Sequence, residues 1–114
     1  MLDDAASFRV VLTTADSSEL AERLARGLVE RRLAACVNVV GPVRSVYRWQ
    51  GEVVCDEERL LVIKTSALRL PALTEAIREL HTYEVPEVLA LAVESGDRGY
   101  LDWLAGCVAD EASP

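Results

Sequence analysis

The sequence predicts one α+β domain built on a four-stranded antiparallel sheet. Two observations lead to this class. Short apolar, β-branched runs alternate along the chain with segments whose apolar residues recur at helical spacing. In addition, residues 33–65 have the two-residue period and the central turn of one long β-hairpin. Together they give the order β-α-β-β-α-β-α for a chain of 114 residues, a length that suits a single core.

The first arm of the hairpin places its aromatic and basic residues on different faces. Alternate residues point to opposite sides of a strand. Tyr47 and Trp49 therefore share one face, and Arg44 and Arg48 share the other. The aromatic pair is expected at a subunit interface or in the core, although it could also line a pocket.

The turn of the hairpin is predicted at Gln50-Gly51, because Gly supplies the positive φ that a tight turn needs. A two-residue turn there pairs Arg44 with Glu57. The arms reach about 50 Å at about 3.3 Å per residue, whereas a compact chain of this length is only about 35 Å across. We therefore expect a bend or bulge at Gly41-Pro42, and a projecting end that another chain covers.

The remaining elements follow from helical spacing, capping residues and β-branched runs. They are a strand over 8–14, a helix over 17–32, a helix from Pro71 to near His81, a strand over 88–93 and a helix after Asp97. Asp16 is the expected cap of the first helix, with Glu19 completing a capping box. The run over 88–93 lacks alternation, which is typical of a strand buried on both faces.

Without its last helix, this order is the split βαβ, or ferredoxin-like, arrangement, with two helices on one face of the sheet. Residues 1–114 form the single domain, and residues 1–7 and 109–114 are expected to be loose ends. Gly27 lies inside the first helix, and a close contact between helix and sheet is one possible reason for it.

Composition excludes several classes of function. The formal charge is −7 at pH 7, which disfavours nucleic acid because phosphate binding needs clustered Lys and Arg. No apolar run approaches the roughly 18 residues of a membrane span, and the acidic start does not resemble a signal peptide. The expected location is cytoplasmic. The acidic run over residues 56–58 is typical of a solvated face.

The three cysteines, Cys36, Cys55 and Cys107, are isolated, so no disulfide framework is expected. Each is most simply a small buried apolar residue. There is no recognisable nucleophile–base pair, phosphate loop or metalloprotease motif. The sequence therefore predicts a binding protein and not an enzyme.

His81 is the candidate metal ligand, since it is the single histidine and imidazole is a common ligand of copper and zinc. Glu84, and Cys36 if it lies nearby, could complete a site. The alternative is a structural or pocket-lining His81, because one histidine without further ligands makes a poor site.

Lys64 ends an apolar run, so it either extends to water at the end of a strand or lies in a polar cleft with Glu84 or an anionic ligand. The full set of candidate ligand-binding residues is Cys36, Tyr47, Trp49, Lys64, Tyr83 and Glu84.

Several segments, taken in order, resemble the CutA family, which is named for divalent-cation tolerance. They are Thr13-Thr14-Ala15, residues 33–38, residues 45–51, Ile63-Lys64-Thr65, residues 81–87 and residues 100–103. The resemblance covers about residues 8–106. It implies a ferredoxin-like fold similar to that of the PII signalling proteins, a trimer built through the long strands, a link to copper and other divalent cations, and no catalytic activity.

Two departures from the family weaken the copper expectation. Family copper sites use a Cys in the first strand and a pair of His at the end of the second helix. Here these positions read Thr13 and Leu80-His81, so only His81 matches, and any copper binding is expected to be weak. With the location expected from composition, the resemblance leads to the prediction of a cytoplasmic homotrimer that binds ligands and is linked to divalent-cation tolerance. The alternative is a PII-like signalling scaffold that binds a small effector in a cleft between subunits.

Overall fold

A computed structural model describes residues 7–109 and confirms the predicted order of elements. The elements are β1 (Phe8–Ala15), α1 (Ser18–Glu30), β2 (Cys36–Trp49), β3 (Glu52–Ser66), α2 (Leu70–Leu80), β4 (Leu89–Ala92) and α3 (Arg98–Cys107). Residues 1–6 and 110–114, which belong to the expected loose ends, lie outside the described residues.

The four strands form one sheet in the order β2-β3-β1-β4, and each neighbouring pair is antiparallel. This is the ferredoxin-like order. The helices α1 and α2 cover one face with apolar stripes at helical spacing. These stripes bury Leu24 and Ile77 against Val11, Leu61 and Ile63 of the central strands. The opposite side of the sheet is called the open face below.

The helix α3 packs separately from α1 and α2. Its Leu101 and Leu104 join Phe8 and Ala35 in a second small cluster. Phe8 lies three residues before Val11 on β1, so its side chain points to the open face. α3 therefore covers only one end of that face.

The hairpin has the predicted turn and pairing. Gln50 and Gly51 both have positive φ, at 50° and 81°. These values are those of a tight two-residue turn whose twist matches the twist of the paired strands. Arg44 lies opposite Glu57, as predicted. β1 pairs with β3 only over residues 59–66, so the outer part of the hairpin is a two-stranded ribbon. The chain measures 48 × 27 × 22 Å as a result.

The expected bulge lies at Gly41-Pro42. The pairing of β2 with β3 shifts between Val40 and Val43, where two residues of β2 face Arg59 alone. A Cβ at Gly41 would lie 2.7 Å from Cγ of Arg59, so any other residue there would force the Arg59 side chain to move. The bulge separates the sheet from the projecting ribbon.

Three details of the first helix differ from the prediction. Its cap is Ser17 and not Asp16, since the Ser17 hydroxyl accepts a hydrogen bond from the Leu20 N–H at 3.1 Å. It ends at Glu30, shortly before Arg32 turns the chain with a φ of 59°. Gly27 approaches α2 and not the sheet: a Cβ there would lie 3.1 Å from Leu80.

The expectation that the last strand is buried on both faces is wrong for this chain. β4 lies at the sheet edge and pairs only with β1, and all four of its residues are exposed. Leu89 and Leu91 have more than half of their surface exposed. An edge strand is protected only where a neighbour covers it.

No helix in the described range is long and apolar enough to cross a membrane.

Candidate functional site

A groove of about 620 Å³ lies where the projecting hairpin leaves the sheet, facing the loop that follows α2. Its lining combines three aromatic rings, three carboxylates and small or apolar side chains. The lining residues are Thr14, Ser45, Val46, Tyr47, Trp49, Glu58, Tyr83, Glu84, Val85 and Glu87. A groove of this volume is within the range of small-molecule sites.

Glu58 forms the buried anionic floor of the groove. It is only 6% exposed, and its carboxylate accepts a hydrogen bond from the Tyr83 hydroxyl at 2.5 Å. Burial, and then the hydrogen bond to Glu58 and its negative charge, raise the pKa of Tyr83. The phenol therefore stays protonated at neutral pH and remains the donor.

The burial of Glu58 corrects the prediction that residues 56–58 form a solvated face. Because Arg44 pairs with Glu57, the residues on either side of Glu57 point to the other face of β3. Glu58 and Asp56 therefore share a face with Tyr47. The predicted hairpin register already placed Glu58 on the face of Tyr47. The burial of Glu58 could not be predicted, because Tyr83, which covers it, lies on a loop that is distant in sequence.

Tyr47 repeats the same chemistry in a more exposed place. Its hydroxyl donates a hydrogen bond to Asp56, and this bond is the main reason that the pKa of Tyr47 is raised. Trp49 lies two residues farther along β2 and is 47% exposed. The predicted aromatic pair thus lines the outer part of the groove in the single chain.

His81 lies beneath the groove with both ring nitrogens in hydrogen bonds. Nδ1 accepts from the Tyr83 N–H at 3.0 Å, so it carries no proton. The neutral ring then holds its proton on Nε2, which donates to the Thr14 carbonyl at 2.6 Å. The ring also packs against the ring of Tyr83, with centroids 4.4 Å apart. In this arrangement a metal ion would have to replace one of the two hydrogen bonds.

The side chains as they lie do not form a ready metal site. Across residues 7–109, no group of three or more His, Cys, Asp or Glu side chains could hold a metal ion. Copper and zinc sites normally need three or four ligands. The donors around His81 therefore fit a tightly held copper ion poorly.

Cys36 and Lys64 lie apart from the groove. They are paired across β2 and β3, with Lys64 Nζ 3.9 Å from Cys36 Sγ. The Lys64 ammonium also donates to the side-chain oxygen of Asn38. Lys64 is six residues along β3 from Glu58, a distance of about 20 Å. The structure does not bring either residue into the groove beside Glu84.

Of the predicted site residues, Tyr47, Trp49, Tyr83 and Glu84 line the groove and His81 supports it from below. The sequence analysis missed Glu58 and the second carboxylate of the loop, Glu87. The loop that carries Tyr83 and Glu84 also borders a second groove, of about 630 Å³, on its side facing α2.

The fold and groove define a small ferredoxin-like binding protein with a long projecting hairpin. Comparison with known proteins gives the family. Residues 9–107 match the model of the CutA1 divalent ion tolerance protein family. The chain belongs to this family, which confirms the resemblance. As a member of this family, the protein belongs among the divalent-cation tolerance proteins and not among the enzymes.

Relatives from distant organisms support the assignment. The divalent-cation tolerance protein CutA of Thermus thermophilus is 55% identical over 95 residues, covering 83% of this chain and 92% of that protein. The human protein CutA is 44% identical over 98 residues, covering 86% of this chain. The matched part is only 55% of the length of the human protein.

Solved structures show the same architecture. The divalent cation tolerance protein of Thermus thermophilus superposes with a TM-score of 0.88 at 51% identity, covering 90% of this chain and 99% of that one. CutA1 from Oryza sativa gives a TM-score of 0.89 at 42% identity, covering 93% and 97%.

Proposed function

We propose that the protein is a homotrimer that binds divalent cations, copper among them, weakly and exchangeably as part of divalent-cation tolerance. The observation that carries this proposal is the charge of the groove. Among the lining residues that fall within 7–109, the charged ones are Glu58, Glu84 and Glu87, and none is basic. Such a surface raises the local concentration of cations.

Weak copper binding follows from the state of His81. A copper ion can use an imidazole nitrogen only after the hydrogen bond to Thr14 or to the Tyr83 N–H has been given up. Glu84, on the loop that follows His81, is the candidate for a second ligand from the predicted set. Loss of a buried hydrogen bond opposes binding, so the expected affinity is modest.

Calorimetry with copper on tag-free protein tests this proposal. Binding should be measurable in the wild type and largely lost in His81→Ala, with the oligomeric mass unchanged. His81→Gln is the second variant, because its amide can still hydrogen-bond but is a poor copper ligand. Cys36→Ser is the matched control and should bind as the wild type does. Binding that survives in both His81 variants and disappears in Cys36→Ser would place the ion at the cysteine instead.

Assembly into a trimer is supported by apolar surface that the single chain leaves uncovered. On the open face, β4 contributes Leu89 and Leu91 and β2 contributes Val40, all about half exposed. They lie in register with Leu12 and the other apolar residues of the central strands. Exposed apolar residues grouped on one face of a sheet are typical of a subunit interface, and three copies related by rotation can cover them.

Light scattering coupled to gel filtration should give three times the chain mass. A stable monomer at micromolar concentration would overturn the trimer. So would a dimer whose mass does not change on dilution.

We place the protein in the cytoplasm. The support is chemical: Cys36, Cys55 and Cys107 are free thiols, and Cys55 is exposed. Exposed thiols persist best in a reducing compartment. The compartment varies among relatives, since the Archaeoglobus fulgidus protein is described as periplasmic and the Arabidopsis thaliana protein as chloroplastic.

A second candidate function is a PII-like scaffold that binds a small effector in the groove. The favouring observation is the lining itself: Tyr47, Trp49 and Tyr83 give aromatic walls to a volume suited to a small molecule. A thermal-shift screen of small molecules, run beside the metal titration, separates the two. Stabilisation by an organic compound and not by metals would favour the effector.

A further inference from the structure

We propose that the groove recognises an organic ammonium ion, with Trp49 and Tyr47 as the aromatic wall and Glu58, Glu84 and Glu87 as the counter-charge. This inference rests on the second candidate function and names the chemical class of its effector. It follows from three features of the lining: the spread of its charges, its aromatic faces and the hydrogen bonds that hold those faces in place.

The spread of the negative charges favours a large cation. The three carboxylates border a volume of about 620 Å³, yet in residues 7–109 no three acidic, His or Cys side chains converge closely enough to hold a metal ion. A compact divalent ion needs several ligands within about 2.6 Å. A cation whose charge is distributed over several carbon-bearing groups can instead sit among separated carboxylates.

The aromatic rings supply the second half of the recognition. An ammonium ion is attracted to the face of an aromatic ring, most strongly to Trp, and sites for quaternary ammonium ions combine several rings. Trp49 is 47% exposed and Tyr47 is 40% exposed. Both stand on the same strand face beside the carboxylates, so the cation can meet rings and negative charge together.

Hydrogen bonds hold two aromatic rings of the groove lining in place, those of Tyr83 and Tyr47. The Tyr83 hydroxyl donates to Glu58 and the Tyr47 hydroxyl donates to Asp56. Each phenol therefore points its O–H at a carboxylate, which increases the electron density of the ring and holds its orientation. The phenols keep their protons and remain the donors, because burial raises the pKa of Tyr83 and the hydrogen bond to Asp56 raises that of Tyr47.

An NMR titration of the full-length protein tests the proposal with an internal control. The probe is tetramethylammonium at constant ionic strength, and tert-butanol is the neutral compound of similar size. The chain has two tryptophans, Trp49 and Trp103, which are exposed to similar extents, 47% and 49%. The indole N–H signal of Trp49 should shift saturably with tetramethylammonium and that of Trp103 should not. Tert-butanol should bind at least tenfold more weakly.

Two variants test the two parts of the recognition separately, one by removing an aromatic ring and the other by removing a negative charge. Trp49→Leu should weaken tetramethylammonium binding about threefold to thirtyfold, the range expected of one cation–π contact. Glu84→Gln leaves every ring in place and should also weaken it, while leaving tert-butanol unaffected. Light scattering on each variant shows whether the oligomer is preserved. If the Trp49→Leu oligomer dissociates, the test rests on whether Glu84→Gln weakens tetramethylammonium binding.

The proposal is overturned if tert-butanol binds as well as tetramethylammonium, or if neither shifts the Trp49 signal up to about 100 mM, a concentration far above that of useful small-ligand sites. An unresponsive groove together with dissociation of Trp49→Leu would assign Trp49 to subunit contact. Copper calorimetry on the same samples keeps the two ideas separable. Loss of copper binding in His81→Gln with tetramethylammonium binding intact would support both sites independently.

Discussion

The helix-covered half of the sheet and the projecting ribbon differ in how far their apolar residues are buried within the single chain. Around Leu61 and Ile63, α1 and α2 exclude solvent completely, and the exposed fraction of both side chains is 0%. In the ribbon, Val46 of β2 and Val53 of β3 are 67% and 65% exposed, although β3 is also the strand that carries Leu61 and Ile63. One strand pair thus runs from a finished core into surface that its own chain cannot cover. The first half specifies the fold, and the second is available for assembly and binding.

The largest expected effect on stability comes from a substitution in the helix-covered half of the sheet. Ile63→Ala removes a fully buried side chain between α1 and the sheet, so it should lower the free energy of unfolding by about 2–5 kcal/mol. Val53→Ala, on the same strand in the ribbon, should lower it by under about 1 kcal/mol. Urea denaturation at one fixed protein concentration gives both values. Equal losses would mean that a partner subunit packs the ribbon as tightly as the helices pack the core.

The next effect concerns assembly. Trp49→Ala removes a large aromatic from the ribbon, and it should weaken the trimer by about 2 kcal/mol, or roughly thirtyfold in dissociation. Trp103→Ala is the matched control: Trp103 is about equally exposed, but it lies on α3 and packs against the Tyr100 ring with centroids 5.4 Å apart. Its expected effect is under threefold. Gel filtration on dilution measures both, and similar dissociation of the two variants would argue against a role for the ribbon in assembly.

The same division decides what could be predicted from sequence. Periodicity gave the element order, and Gly51 gave the hairpin register, because both signals are local. The cap of α1 and the exposure of β4 were predicted wrongly. Ser17 and Asp16 are both good caps, and an apolar run does not tell whether another strand or another chain will cover it. Glu58 was missed as a site residue because its cover, Tyr83, comes from 25 residues away along the chain.

The two tyrosine–carboxylate pairs test whether burial gives such contacts their value. Tyr83→Phe removes the donor that satisfies the buried Glu58 carboxylate, and should destabilise the protein by about 1–3 kcal/mol. Tyr47→Phe removes the same chemistry beside the exposed Asp56, where water replaces the lost donor, and should have a much smaller effect. Thermal denaturation of the two variants compares them directly. A larger loss for Tyr47→Phe would indicate that assembly buries the outer pair.

The smallest effect, and one of opposite sign, comes from two threonines buried on the helix-covered side of the sheet. In the described part of the chain, the Thr13 hydroxyl is buried without a hydrogen-bond partner, whereas the Thr65 hydroxyl donates to the Leu33 carbonyl at 2.7 Å. Both residues are fully buried. Val has nearly the same shape as Thr without the hydroxyl, so each substitution isolates one polar group.

Thr13→Val removes a polar group that burial disfavours, and should raise the free energy of unfolding by about 1 kcal/mol. Thr65→Val leaves the Leu33 carbonyl without its donor, and should lower it by about 1–2 kcal/mol. Urea denaturation of both variants at the same protein concentration measures the difference in sign. Destabilisation by Thr13→Val would mean that its hydroxyl has a partner in the assembled protein, such as a buried water molecule, that the single chain does not supply.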